Sequence, residues 1–274
     1  MDNNARNVKG SGVTHKEALE REELRDVIDL SLWAGQLLLQ HGAEAERVEE
    51  TVHRLGTALG CDWLDVLVSP NAIIATTSSG LEFRTKVRRV VGMRVDMTVV
   101  SAVNRLSRRV ESGELNRVQV RSELVRISST PPHYNRWLTV ALVGLACAAF
   151  SRLFGGDWAV FAVTFAAAAA AMFTRQELAR RHINPLLTVI VTAFVAGLIA
   201  SSASVFGWSE TPQVALSAAV LLLVPGVPLI NAAEDLIKGH MVTGLVRGAS
   251  GVLISLAIAL GLLLAMTLAG VRGL

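Results

Sequence analysis

The sequence predicts an α-helical membrane protein of about five transmembrane helices, preceded by an α+β domain that contains a small antiparallel sheet. Three observations carry that expectation. Charge is confined, since residues 1–136 hold 19 of the 26 Lys and Arg and 18 of the 23 Asp and Glu, leaving 7 and 5 for residues 137–274. Five apolar stretches fill that second half, and a spanning helix needs about twenty residues. The first half instead mixes helical spacing with a stretch of strict alternation, the signature of a half-buried strand.

A polar leader at 1–16 is expected to be disordered, and its opening Met1-Asp2-Asn3-Asn4-Ala5-Arg6-Asn7 is followed by no apolar signal core. That places the first domain, residues 17–130, in the cytoplasm. Leu24, Val27, Ser31, Ala34 and Leu38 recur every three or four residues, so a first helix is expected, closing at His41-Gly42 where glycine suits a left-handed cap. Ala45, Val48, Val52, Leu55 and Leu59 predict a second helix ending before Gly60. Strands are expected at Asp62 to Ser69, Ala72 to Thr77 and Leu81 to Val90, divided by Pro70-Asn71 and Ser78-Ser79-Gly80. In the third, Leu81, Phe83, Thr85 and Val87 alternate with Glu82, Arg84, Lys86 and Arg88, which predicts a wet, basic outer face. Helices over Met97 to Val110 and about Asn116 to Ile127 lead to a Pro131-Pro132 break.

The transmembrane domain, 137–274, is expected to cross the bilayer at 137–154, 158–174, 185–206, 213–231 and 248–270. The second span is short, and its alanine run, Ala166 to Ala171, suits close helix packing inside the bundle. Arg175, Arg180 and Arg181 lie between spans two and three, and Lys238 and Arg247 between four and five, whereas 206–212 carries no base. The positive-inside rule then puts these basic links and the N-terminus in the cytoplasm and Arg272 outside. Arg152 and Asp157, flanking the first outer turn, depart slightly from that rule.

The most unusual local feature is Val224-Pro225-Gly226-Val227-Pro228-Leu229-Ile230-Asn231 at the end of span four. Proline removes a donor and clashes with the carbonyl four residues back, so the helix must bend there and free carbonyls near Leu221 and Val224. In a bilayer such backbone survives only where protein or a polar cavity satisfies it. Gly226 permits close approach, and Asn231 can satisfy exposed backbone from either end of its amide. Asp235 and Arg247 beyond it are read as a gate or charge pair, with Arg247 as the counter-ion if the substrate is a carboxylate; an interfacial anchor is the competing reading. Gly244 and Gly248 form a GxxxG better suited to helix contact than to ligand binding.

In the first domain, Glu46, Glu49, Glu50 and His53 share the polar side of the second helix. They could hold a metal or act as acid and base, but a solvated face with Glu50 to Arg54 pairing is the plainer reading. His41-Gly42-Ala43-Glu44 is likewise architectural first. Arg88, Arg89 and Arg94 with Asp96 form a basic strand end, open to headgroup or membrane-domain docking. Cys61 and Cys147 stand in no redox or metal spacing, and the six dispersed histidines form no zinc motif. The net charge of +3 is too small and scattered for a nucleic-acid surface.

His41-Gly42-Ala43-Glu44-Ala45-Glu46-Arg47-Val48-Glu49, together with Leu223 through Asn231 and Asp235, Gly239 and Arg247, resembles the threonine/serine exporter (ThrE) family. The likeness is to the larger subunit of its split form, in which a cytoplasmic domain precedes about five spans. It implies secondary export across a bacterial inner membrane, of threonine and serine or of succinate-like dicarboxylates, with proton coupling. A small all-membrane partner subunit is implied as well, because single-chain members carry about ten spans, and alanine-rich and glycine-rich faces suggest further association. No cofactor is implied. A membrane-anchored hydrolase using Glu46, Glu49 and His53, or a scaffold, are the alternatives, and no GxSxG, CxxC or zinc motif supports the hydrolase.

Overall fold

The computed structural model describes residues 18–92, 94–129 and 134–271; the expected leader, the Pro131-Pro132 break and Arg272 fall outside them. The chain divides into two compact units, Met1–Ser129 and Thr130–Leu274.

In the first unit, α1 (Arg21–Gln40) is the central element, packed against α2 (Ala45–Ala58), the sheet, α3 (Met97–Glu111) and α4 (Arg117–Ser129). Leu24, Val27, Ile28, Leu30, Leu32, Leu38 and Leu39 bury more than one side of it, because neighbours surround it. Its end follows from Gly42, at φ 94°, with Ala43 N–H returning to the Leu38 carbonyl at 3.1 Å. The sheet is a meander in the order β1-β2-β3, from β1 (Trp63–Ser69), β2 (Ala72–Ser79) and β3 (Glu82–Arg89), all antiparallel.

The expected polarity of β3 is inverted. Phe83 is 73% exposed and Val87 59%, while Arg84, Lys86 and Arg88 are half-buried on the inner face. The register explains this: Ile73, Ala75 and Thr77 are the buried positions of β2, and they pair with Arg88, Lys86 and Arg84. A side chain on one strand must share the face of its cross-strand partner. The basic stems cover the layer next to α1, and their heads find Asp29 and Gln36 there.

The second unit contains α5 (Arg136–Leu153), α6 (Trp158–Arg180), α7 (Pro185–Val205), α8 (Pro212–Ala219), a 3-10 turn at Leu221–Leu223, α9 (Gly226–Ile237) and α10 (Met241–Ala269). Four of these helices are long and apolar enough to cross a membrane, and a fifth crossing exists only if the bent pair Pro212–Leu223 and Gly226–Ile237 counts as one. The helix bounds differ from the expected ones in two informative places. α6 runs on to Arg180 and is not short, so Arg175 and Arg180 are helical residues, and α10 begins at Met241, which puts Arg247 in its second turn. The sequence-based bounds stopped at charge, but hydrogen bonding carries a helix past the apolar limit.

Small residues set the helix spacing. Ala167, Ala168 and Ala171 of α6 are buried, although Ala166 faces outward. A Cβ on Gly261 of α10 would lie 2.4 Å from the Ile190 carbonyl oxygen of α7, so only glycine permits that approach.

Candidate functional site

The break between α8 and α9 bends the chain by 63°. Pro225 has no N–H to offer Leu221, and that carbonyl instead takes the Val224 N–H at 3.2 Å. Pro225 itself adopts φ −80° and ψ 55°, an inverse γ-turn closed by the Gly226 N–H on the Val224 carbonyl at 2.9 Å. A new helix then starts with Leu229 N–H on the Pro225 carbonyl at 3.1 Å.

Pro228 does not act as the sequence suggests. It is the third residue of α9, where the first-turn N–H groups lack intrahelical acceptors anyway, so its missing donor costs nothing. The Val224 carbonyl it was expected to free is held by Gly226. Gly226 also differs from expectation: a Cβ there would meet nothing within 4 Å, so no backbone crowds it.

One carbonyl left by the break is that of Leu222, since the Gly226 N–H it would normally accept has turned to Val224. Arg175 of α6 donates its guanidinium to this oxygen at 3.3 Å. Arg175 was read from sequence as a loop base. Its place near the end of an apolar run resembled a positive-inside anchor, and only the packing of α6 on α8 shows that it faces the break. Among the described residues it enters no ion pair with a carboxylate.

Beyond the break, Asn231 and Asp235 are one turn apart on α9. Asp235 is fully buried and Arg247 is 3% exposed, and Arg247 Nη1 donates to Asp235 Oδ2 at 2.7 Å. Two devices bring these side chains together. At the end of α9, Gly239 takes φ 89°, with His240 N–H on the Asp235 carbonyl at 2.8 Å and Gly239 N–H on that of Leu236 at 3.3 Å, a Schellman turn that sends the chain back into α10. Glycines then let the helices touch, since a Cβ on Gly244 would lie 2.9 Å from the Ala232 oxygen and one on Gly251 2.4 Å from Leu229 Cδ2. Gly248 has only the Ala232 methyl near, at 3.8 Å, so the contact motif runs through Gly244 and Gly251. Removing one partner of such a pair leaves a buried charge and costs about 3–5 kcal/mol.

Several polar residues of α2 and of the corner before it make structural contacts. His41 Nδ1 donates to the Leu37 carbonyl at 2.7 Å, and its Nε2 accepts from Arg94 at 3.4 Å. His53 Nδ1 donates to the Leu64 carbonyl at 2.7 Å, tying α2 to β1. Glu44 pairs with Arg47 at 2.8 Å, and Arg54 turns to Glu111 at 3.4 Å, not to Glu50, because α3 packs alongside. Glu46 and Glu49 join no group of three potential metal ligands among the described residues. The break and the ion pair thus come together in the second unit, while His41, Gly42, Glu46 and Glu49 belong to the first.

A bundle of long apolar helices with small residues at its contacts, a discontinuous apolar helix and a buried ion pair beside it fits a multi-pass membrane protein. Residues 29–269 match the family described as "Putative threonine/serine exporter" (ThrE), and the chain belongs to that family. It is similar to the "Probable succinate transporter subunit YjjP" of Klebsiella aerogenes, with 42% identity over 255 residues that cover 93% of this chain and 98% of the relative. The protein of the same name from Escherichia coli is 40% identical over 93% of this chain and 99% of its own length. The "Threonine/serine exporter" of Corynebacterium glutamicum is 26% identical over 83% of this chain but only 48% of that protein. No solved structure matches.

Proposed function

We propose that the chain is the larger subunit of a bacterial inner-membrane exporter of succinate-like dicarboxylates, with its N-terminal unit in the cytoplasm. The carrying observation is the discontinuous helix with a cation on its exposed carbonyl and a buried ion pair one helix later. Pro212–Leu223 rises about 18 Å, less than a hydrocarbon core of about 30 Å, which supports a break within the apolar layer. Discontinuous helices at that depth commonly flank a substrate path. Asp235 neutralises Arg247, which makes this pair a gate element whose partners separate or stay joined as α9 moves against α10. Arg175, which pairs with no carboxylate among the described residues, is the better counter-ion for a carboxylate substrate.

The relatives matched over nearly their whole length carry the succinate name, which favours a dicarboxylate over threonine or serine. The Corynebacterium protein is about twice as long as its matched region, which supports a separate small all-membrane subunit supplying the remaining spans here. Proton coupling belongs to the same reading. Efflux from cells expressing the chain with and without that partner tests it: succinate should leave only with both, Asp235→Asn and Arg247→Gln should abolish export, and Arg175→Lys should retain more than Arg175→Gln. Full efflux in Arg175→Gln at normal protein levels would remove Arg175 from the path.

A further inference from the structure

The inversion of β3 places three basic residues where a sheet normally buries apolar ones, and α1 supplies too few acids for them. Lys86 pairs with Asp29, and Arg121 of α4 pairs with Asp26. Among the described residues Arg88 pairs with no carboxylate: its Nε donates to Gln36 Oε1 at 2.6 Å, and its guanidinium lies over the Trp33 ring, 5.9 Å from the centroid. Burial pushes its proton affinity down, with Asp29 acting weakly in the opposite sense. Two steps along the same face, beyond Lys86, Arg84 Nε is buried without a hydrogen-bond partner. Phe83 and Val87 are exposed while these cations face inward, and of the three only Lys86 meets a carboxylate among the described residues.

Beside Lys86 and Arg88 is an open cavity of about 320 Å³ lined by Asp29, Leu30, Trp33, Lys86, Arg88 and Arg121. Three cations and one carboxylate around an aromatic wall are suited to an anion with an apolar middle. We infer that this cleft between α1, β3 and α4 is a binding site for a small organic dianion, a dicarboxylate, whose one end meets the Arg88 guanidinium while its methylene chain lies on Trp33. The anion site stands on the cleft itself; the choice of a dicarboxylate rests on the transport reading above. A site of this kind would let the N-terminal unit sense the solute that the second unit moves.

The test uses the full chain with its partner subunit in neutral-lipid nanodiscs, with succinate and inorganic phosphate as probes. Succinate should give a saturable change in tryptophan fluorescence that Trp33→Phe removes. Arg88→Gln should weaken it at least tenfold, Arg88→Lys should weaken it less, and Arg121→Gln, at a more exposed position, guards against misfolding and should also weaken it. A signal that survives Trp33→Phe, unchanged affinity in Arg88→Gln, or binding of phosphate but not succinate would each overturn the proposal. Export without a Trp33-dependent site would sink this inference alone, and a Trp33-dependent site in a chain that exports nothing would sink the transport reading alone.

Discussion

The two units bury opposite kinds of residue. Every one of the largest fully buried side chains, from Leu24 to Leu124, is in the first unit, whose core is Leu, Ile and Val. The second unit buries Ala167, Ala171, Ala193, Ala196, Ala200 and Ala203, and turns Leu253, Leu256, Leu260 and Leu263 outward. The contrast reflects two solvents. Water drives large apolar side chains inward, at roughly 25 cal/mol per Å² of area removed. Lipid exerts no such force between helices, so close approach of small residues and a few polar contacts hold the bundle together.

The comparison is broken most severely at Asp235. Asp235→Ala should cost about 3–5 kcal/mol by stranding Arg247, whereas Asp235→Ala with Arg247→Leu should recover much of that stability, because an apolar pair avoids the desolvation cost. Thermal unfolding in detergent measures both, and a double variant no more stable than the single one would show that the Asp235–Arg247 contact does not dominate the loss. Export should remain absent in both. Leu38→Ala in the water-driven core should cost about 2–5 kcal/mol. Leu256→Ala, on the outer face of α10, should cost under about 0.5 kcal/mol. Equal losses at the two sites would end the two-solvent account. At the small end, Gly226→Ala should leave stability unchanged because space is open there, while Gly261→Ala should lower it by forcing α10 off the Ile190 carbonyl.

Much of this was legible in the chain. Charge segregation separated the units, three-and-four spacing located α1 and α2, and two prolines in an apolar run announced the break. What local pattern could not supply was partnership. The alternation in β3 is real, yet both faces are amphipathic enough that only the register with Ile73 and Ala75 decides which is inside. Arg175 and Arg247 look alike as bases near apolar runs, yet one meets a carbonyl and the other a carboxylate. Glu50 to Arg54 was a sound local pairing that Glu111, 57 positions away from Arg54, displaced.

The sequence by itself determined the class of each segment and the position of the helix break, because periodicity, proline chemistry and charge segregation act within a few residues. Tertiary structure decided which charges are paired and which face of the sheet is buried. Those outcomes depend on neighbours that are distant along the chain, and the energy of a buried charge is set by what lies within about 4 Å of it.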